Sequence, residues 1–157
     1  MAQIKPGDMA PHFELVDQNG TKVKLSDFKG RKLLLYFYPK ANTPGCTTQG
    51  CSVRDARGDF ANIGIAAVGI SPDRPEQQKK FDEKYSLGFP LLSDTDRAVA
   101  DAYGVWGEKS MYGKKYEGII RSSFLIDEEG EILQTWYKVS AKDTVPKARQ
   151  ALSAEKK

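Results

Sequence analysis

The sequence predicts an α/β protein with a central mixed sheet flanked by helices and an N-terminal β-hairpin. Three observations carry this. Two continuous apolar runs, 32–38 and 63–70, have the character of strands buried on both faces of a mostly parallel sheet. Each run is followed by a proline-marked helix start, near Pro44 and at Pro75. A hairpin and a final helix then close the chain, an order expected of layered α/β folds.

The elements follow in order. Phe13 and Leu15 alternate with polar residues, Asn19-Gly20 supplies a tight turn, and Val23 and Leu25 alternate again, which predicts the hairpin. Ser26 is placed to cap a short helical turn around Asp27 and Phe28. The first buried strand, 32–38, empties into a Pro/Gly turn and a helix over 46–61. The second strand, 63–70, ends at Ser71-Pro72-Asp73 and leads to a helix over 75–85. Residues 90–92 read as a short strand and 96–103 as a helix stopped by Gly104. Residues 105–118, rich in Gly, Lys and aromatics, read as loop. The stretches 119–126 and 132–137 form a hairpin around Glu128-Glu129-Gly130, and a helix over 142–153 ends the chain. This succession is that of a thioredoxin-like α/β layer. No repeat, low-complexity tract or linker interrupts it, so residues 1–157 are expected to form one domain.

Composition narrows the function classes. With 39% hydrophobic and 29% charged residues, the chain fits a soluble globular protein. No apolar stretch approaches the ~18 residues of a membrane helix, and Met1 to Asp8 lack the pattern of a secretory signal. A cytoplasmic location is the expectation. The net charge of +3 is mild, and the terminal Lys156-Lys157 pair inflates it. Lys109, Lys114 and Lys115 cluster, but acidic residues bracket them, so a solvated surface is favoured over nucleic-acid or phosphate binding.

The two cysteines, Cys46 and Cys51, then carry the chemistry. In a reducing compartment such a pair is catalytic or sensing rather than a structural staple. Structural zinc wants four Cys/His ligands, and the chain offers two cysteines and His12, so no metal is expected. His12, far from Cys46 in sequence, reads as an ordinary packed or surface residue. There is no P-loop, no G-x-S-x-G elbow and no C-x-x-C. No cofactor is expected either.

Peroxide chemistry fits what remains. A free cysteine is only about 3% thiolate at pH 7, whereas a site that lowers its pKa to ~6 makes it ~90% thiolate. Cys46 follows a strand and a Pro/Gly turn at a helix start, where partial positive charge and free N–H groups stabilise an anion. Arg121, read within the apolar stretch 119–126, is the candidate cation that would stabilise the thiolate and polarise a peroxide O–O bond. Thr43, three residues before Cys46, can place its hydroxyl on the sulfur; Pro39 and Pro44 can stiffen the loop and exclude water. Each has a plainer alternative: a structural ion pair for Arg121, a turn cap for Thr43, and turn punctuation for the prolines.

These residues also form a recognisable pattern. Pro39-x-x-x-Thr43-x-x-Cys46 resembles the peroxiredoxin active-site motif. The longer string from Tyr38 through Cys51-Ser52-Val53-Arg54-Asp55, with Val105 to Lys109, Tyr112 to Lys115 and Arg121 to Asp127, resembles the bacterioferritin comigratory protein (PrxQ) subfamily. The likeness runs along nearly the whole chain. It implies a thioredoxin-fold, thiol-dependent peroxidase acting on hydrogen peroxide and organic hydroperoxides. Cys46 would be the peroxidatic cysteine, Cys51 the resolving one, and Thr43, Pro39 and Arg121 the other active-site positions. Thioredoxin would be the reductant and the enzyme a monomer. Ala41, Gln49 and Gly50 depart from frequent Asp/Glu, Glu and Ala respectively; Gln49 removes a carboxylate from the neighbourhood of the arginine.

On one continuous helix, positions 46 and 51 would lie roughly 8–9 Å apart on different faces, beyond the ~7 Å reach of a disulfide. A helix present only in the reduced enzyme, melting on oxidation, reconciles the two. Two other functions use the same sequence: a peroxide sensor that relays oxidation to a partner, and a non-catalytic thioredoxin-like binding module.

Overall fold

The computed structural model describes residues 3–155; Met1, Ala2 and the Lys156-Lys157 pair lie outside the described residues. The strands are β1 (Glu14–Val16), β2 (Lys22–Lys24), β3 (Lys32–Phe37), β4 (Ile65–Ser71), β5 (Leu91–Ser93), β6 (Trp106–Met111), β7 (Lys114–Ile119), β8 (Ser122–Ile126) and β9 (Ile132–Trp136). The helices are α1 (Pro44–Asn62), α2 (Pro75–Tyr85), α3 (Ala98–Ala102) and α4 (Thr144–Glu155), with 3₁₀ turns at Leu25–Phe28 and Ala141–Asp143.

Seven strands form one mixed sheet in the order β2-β1-β5-β4-β3-β8-β9. β4 runs parallel to both β3 and β5, whereas β8 lies antiparallel to β3 and β9. The predicted α/β class, with its thioredoxin-like element order and N-terminal hairpin, is the observed one.

The strand period of two divides the core. Leu33, Leu35 and Phe37 face one side, where Tyr103 of the α3 end and Phe124 pack. Leu34, Tyr36 and Tyr38 face the other, against Val53 and Phe60 of α1, Phe81 of α2 and Ala148 of α4. Helices therefore cover both faces, and β3 needs no polar side. Gly69 on β4 is part of this packing. A Cβ there would lie 2.9 Å from the Tyr36 ring and 3.0 Å from that of Tyr38. Gly69→Ala is expected to cost about 1–3 kcal/mol through overpacking, measurable by urea denaturation.

Four details correct the sequence expectations. Residues 105–118 are not loop: β6 and β7 form a separate two-stranded sheet, paired from Trp106↔Ile119 to Met111↔Lys114. Its turn is Tyr112-Gly113, with φ of 54° and 78°, as a two-residue hairpin turn requires. Arg121 does not sit within a strand. It lies between β7 and β8, where the chain leaves the small sheet for the large one. Ser26 does not cap the first 3₁₀ turn; the Asp27 carboxylate does, accepting the Lys24 N–H at 2.9 Å. The helix expected over 96–103 is the shorter α3, because the Asp94 carboxylate accepts the Val99 and Ala100 N–H groups and fixes its start.

Candidate active site

β3 and β8 are antiparallel and pair Phe37 with Ser122, so Arg121 arrives beside the C-terminal end of β3. That is the end from which the chain turns through residues 39–43 into α1. Ligand sites of open α/β sheets lie at such strand ends. Two segments distant in sequence thus meet for a topological reason.

Thr43 is the N-cap of α1, Pro44 takes the first helical position, and Cys46 falls in the first turn. The intrahelical ladder begins with the Thr47 N–H on the Thr43 carbonyl at 2.8 Å. The N–H groups of Gly45 and Cys46 precede it and have no carbonyl of their own helix to bond. No acidic residue occupies this turn, so the positive end of the helix is not neutralised locally. Cys46 is 2% exposed and its thiol is free.

The Arg121 guanidinium donates through Nη2 to the Cys46 sulfur at 3.4 Å and through Nη1 to Gln49 Oε1 at 2.6 Å. Gln49 is fully buried on α1, and its Nε2 donates to Thr144 Oγ1 at 2.8 Å. The Thr144 hydroxyl in turn donates to the Ser140 carbonyl at 3.2 Å. The Val139 N–H holds the Arg121 carbonyl at 2.9 Å. The arginine is thereby fixed by backbone and side chain together. Glycine at position 45 permits the approach, since a Cβ there would lie 3.0 Å from Nη2.

Two further groups lie within electrostatic reach of the sulfur. Tyr36 is buried in the same core cluster as Cys46; burial pushes its hydroxyl well above the ordinary phenol range, Cys46 adds to this, and Arg121 opposes it. Lys109 of β6 donates to the Ile119 carbonyl at 2.7 Å. Partial burial lowers the pKa of its ammonium, Arg121 lowers it further, and Cys46 acts in the opposite sense.

The structure brings Cys46, Arg121 and Thr43 to one place, with Pro39 half-buried at the start of the connecting loop. The Thr43 hydroxyl does not bond the sulfur. It donates to the Lys40 carbonyl at 2.8 Å, closing the turn before α1. Cys51 lies on the same helix, half-buried against the α1–α2 core, with its thiol free. His12 is exposed and lines a cleft of about 170 Å³ with Phe28 and Arg31, beside the β3 start. Gln49 was visible in sequence only as a departure from a family pattern. Its place three residues after Cys46, on the same helix side, was the available signal. Among the described residues no cluster of His, Cys, Asp or Glu could hold a metal ion, and no helix is long and apolar enough to cross a membrane.

Comparison with known proteins shows the family and the fold. The model of the AhpC/TSA family matches residues 6–135. Peroxiredoxin Bcp of Escherichia coli K12 is 53% identical over 132 residues, 84% of this chain and 85% of that protein. Peroxiredoxin Bcp of Bacillus subtilis 168 is 48% identical over 149 residues, 95% of each. Among solved structures, PrxQ of Xylella fastidiosa matches with a TM-score of 0.93 at 32% identity, covering 100% of both chains. The bacterioferritin comigratory protein of Xanthomonas campestris, described for its alkyl peroxide reduction activity, matches with a TM-score of 0.87 at 36% identity over 99% of each chain. A buried cysteine faced by a fixed guanidinium on this fold defines a thiol-dependent peroxidase. The chain belongs to the AhpC/TSA family, among peroxiredoxins of the Bcp/PrxQ kind.

Proposed function

We propose that this peroxidase reduces hydrogen peroxide and organic hydroperoxides through Cys46, resolves the product with Cys51, and is recycled by thioredoxin or a similar dithiol protein. The observation that carries the proposal is the 3.4 Å contact of Arg121 with a sulfur in the first turn of α1. The thiolate attacks one peroxide oxygen; the O–O bond breaks, and the leaving oxygen takes a proton and departs as water or alcohol. Cys46 becomes a sulfenic acid. The guanidinium and the free first-turn N–H groups lie where negative charge sits before attack and where it spreads as the O–O bond opens. Condensation with the Cys51 thiol forms the S–S bond and releases water, and dithiol exchange restores both thiols. No metal or cofactor enters this cycle. A monomeric, cytoplasmic enzyme goes with this proposal, supported by the family resemblance and by a cysteine pair suited to a reducing compartment.

α1 runs without a break from Pro44 to Asn62, so both cysteines are held on one helix while their thiols are free. Five helical residues separate their Cα atoms by roughly 8–9 Å, and a disulfide spans at most about 7 Å. The first turns must unwind for Cys51 to reach the sulfenic acid. Gly50 lowers the cost, since glycine is about 1 kcal/mol poorer than alanine in a helix interior. A Cβ at position 50 would meet Leu87 and Phe81 at 3.5 Å, ordinary contact distance, so alanine fits. Gly50→Ala is therefore expected to slow disulfide formation about fivefold, the rate equivalent of ~1 kcal/mol, followed by rapid-quench mass spectrometry.

One experiment tests the whole cycle. After one equivalent of peroxide, intact-mass analysis is expected to show the loss of two hydrogens, mapped by peptide analysis to a 46–51 linkage. Far-UV circular dichroism is expected to lose helical signal at the same time. A sulfenic or sulfinic adduct persisting on Cys46 alone would remove Cys51 from the mechanism. Steady turnover with thioredoxin and its reductase separates an enzyme from a sensor that passes its oxidation to a partner.

A further inference from the structure

The loop that delivers Cys46 to Arg121 is held by a group outside the reacting centre. Asp73, just beyond β4, accepts the Ala41 N–H at 2.7 Å through Oδ2, and the same oxygen accepts the Ser71 hydroxyl at 2.6 Å. Ser71 Oγ in turn accepts from Gln78 Nε2 at 2.8 Å, and Gln78 Nε2 also reaches the Leu92 carbonyl at 2.9 Å. The Tyr38 hydroxyl donates to Gln78 Oε1. Tyr38, Ser71 and Gln78 are all buried. Residues 38 and 41, at both ends of the turn carrying Pro39, are thus fastened to one polar chain rooted in β4, α2 and β5. Asn42 next to Ala41 turns the loop with a φ of 63°, a left-handed conformation that asparagine takes more readily than other side chains.

We propose that Asp73 is a positioning residue that sets the balance between the two chemical steps at Cys46, holding the 39–43 loop closed for peroxide attack and releasing it for disulfide formation. The proposal rests on the reading of Cys46 and Cys51 given above. A carboxylate accepting a backbone N–H makes one of the stronger hydrogen bonds in a protein. While it is made, Thr43 and Pro44 hold the first turn of α1, and the sulfur stays within reach of Arg121. Disulfide formation needs that turn to unwind, with the Cys46 sulfenic acid and the Cys51 thiol giving a disulfide and water. Since the bond favours the closed state, its loss favours the open one. One substitution must therefore act on the two steps in opposite directions.

The test follows Cys46 thiol loss and 46–51 disulfide gain by rapid-quench mass spectrometry with hydrogen peroxide. Asp73→Ala is expected to speed the conversion of sulfenic acid to disulfide by up to about tenfold, the value of one charge-assisted hydrogen bond, and to slow thiol loss by a smaller factor, because the closed state predominates in the reduced protein. Hyperoxidation to the sulfinic acid is expected to fall accordingly, because the sulfenic acid is shorter-lived. Asp73→Asn keeps an acceptor for Ala41 and is expected to fall between Asp73→Ala and the unaltered protein. Ser71→Ala, which loosens the carboxylate without touching the loop, is expected to give a smaller change of the same signs and serves if Asp73→Ala does not fold. Unchanged rates, or both steps moving in one direction in a folded variant, would overturn the proposal. If the unaltered protein forms no 46–51 linkage, the resolving role of Cys51 fails by itself. Capture of the Cys46 sulfenic acid by dimedone, which needs the same opening, then decides the latch: faster capture in Asp73→Ala supports it, and unchanged capture overturns it.

Discussion

Replacing Arg121 by methionine is expected to lower the second-order rate constant of Cys46 with hydrogen peroxide by about 10²–10³, the usual cost of removing one preorganised donor from a transition state. The side-chain volume is roughly kept, while the donors to the sulfur and to Gln49 are lost. Two effects combine in that number. The thiolate loses its nearest cation, and the departing oxygen loses a donor as charge moves onto it. Iodoacetamide separates them, because alkylation needs the thiolate but breaks no O–O bond. Alkylation at pH 7 is therefore expected to fall less than peroxide reduction. Arg121→Lys restores a charge without the two-pronged fork that spans Sγ and Gln49 Oε1, so its recovery is expected to be partial. Gly45→Ala approaches the same contact from the helix side, with a methyl 3.0 Å from Nη2. It is expected to reduce the peroxide rate in the same sense. Stopped-flow competition for peroxide reads all these rates; a loss below tenfold in Arg121→Met would make the contact structural.

Much of this site is legible in the chain because it is local. The run 32–38 followed by a Pro/Gly turn locates a strand end and a helix start, and β3 and α1 lie there. Cys46 and Thr43 are placed by that local syntax alone. Arg121 can be chosen by residue type, but its setting between two sheets cannot. Ile119-Ile120 and Phe124-Leu125-Ile126 look like one apolar strand, whereas the chain changes sheets between them. The β6–β7 hairpin is illegible in the sequence for a related reason. It stands apart from the large sheet, leaves most of its residues exposed, and so carries no apolar alternation; its Tyr112-Gly113 turn lacks the Asn-Gly or Asp-Gly signature. The supporting shell was the least visible part. Asp73 is 32 residues from Ala41, and Thr144 is 95 from Gln49. Those contacts exist only once β3, β4 and β8 are in register, which no local pattern encodes.

Gln49 gives the second large expectation. Where the family resemblance leads to a carboxylate, this chain places a neutral amide, and its Oε1 accepts from the Arg121 guanidinium at 2.6 Å. An amide can do what a carboxylate cannot: accept from Arg121 with one end and donate to Thr144 with the other. It also leaves the arginine's positive charge uncompensated at that contact, so more of its field acts on the sulfur 3.4 Å away. Gln49→Leu would keep the packing of a fully buried position but strip Nη1 of its acceptor. The cost is expected to be about 1–3 kcal/mol of stability from an unsatisfied donor, with peroxide reduction falling ten- to a hundredfold as the guanidinium loses its brace. Gln49→Glu divides geometry from charge. It keeps an acceptor for Arg121, so the fold is expected to survive, while its carboxylate competes with the Cys46 thiolate for the same cation. Alkylation of Cys46 by iodoacetamide at pH 7 is then expected to slow severalfold. If Gln49→Glu instead matched the unaltered enzyme in both alkylation and peroxide reduction, the amide would matter only as a brace, and its neutrality would add nothing to the field of Arg121 at the sulfur.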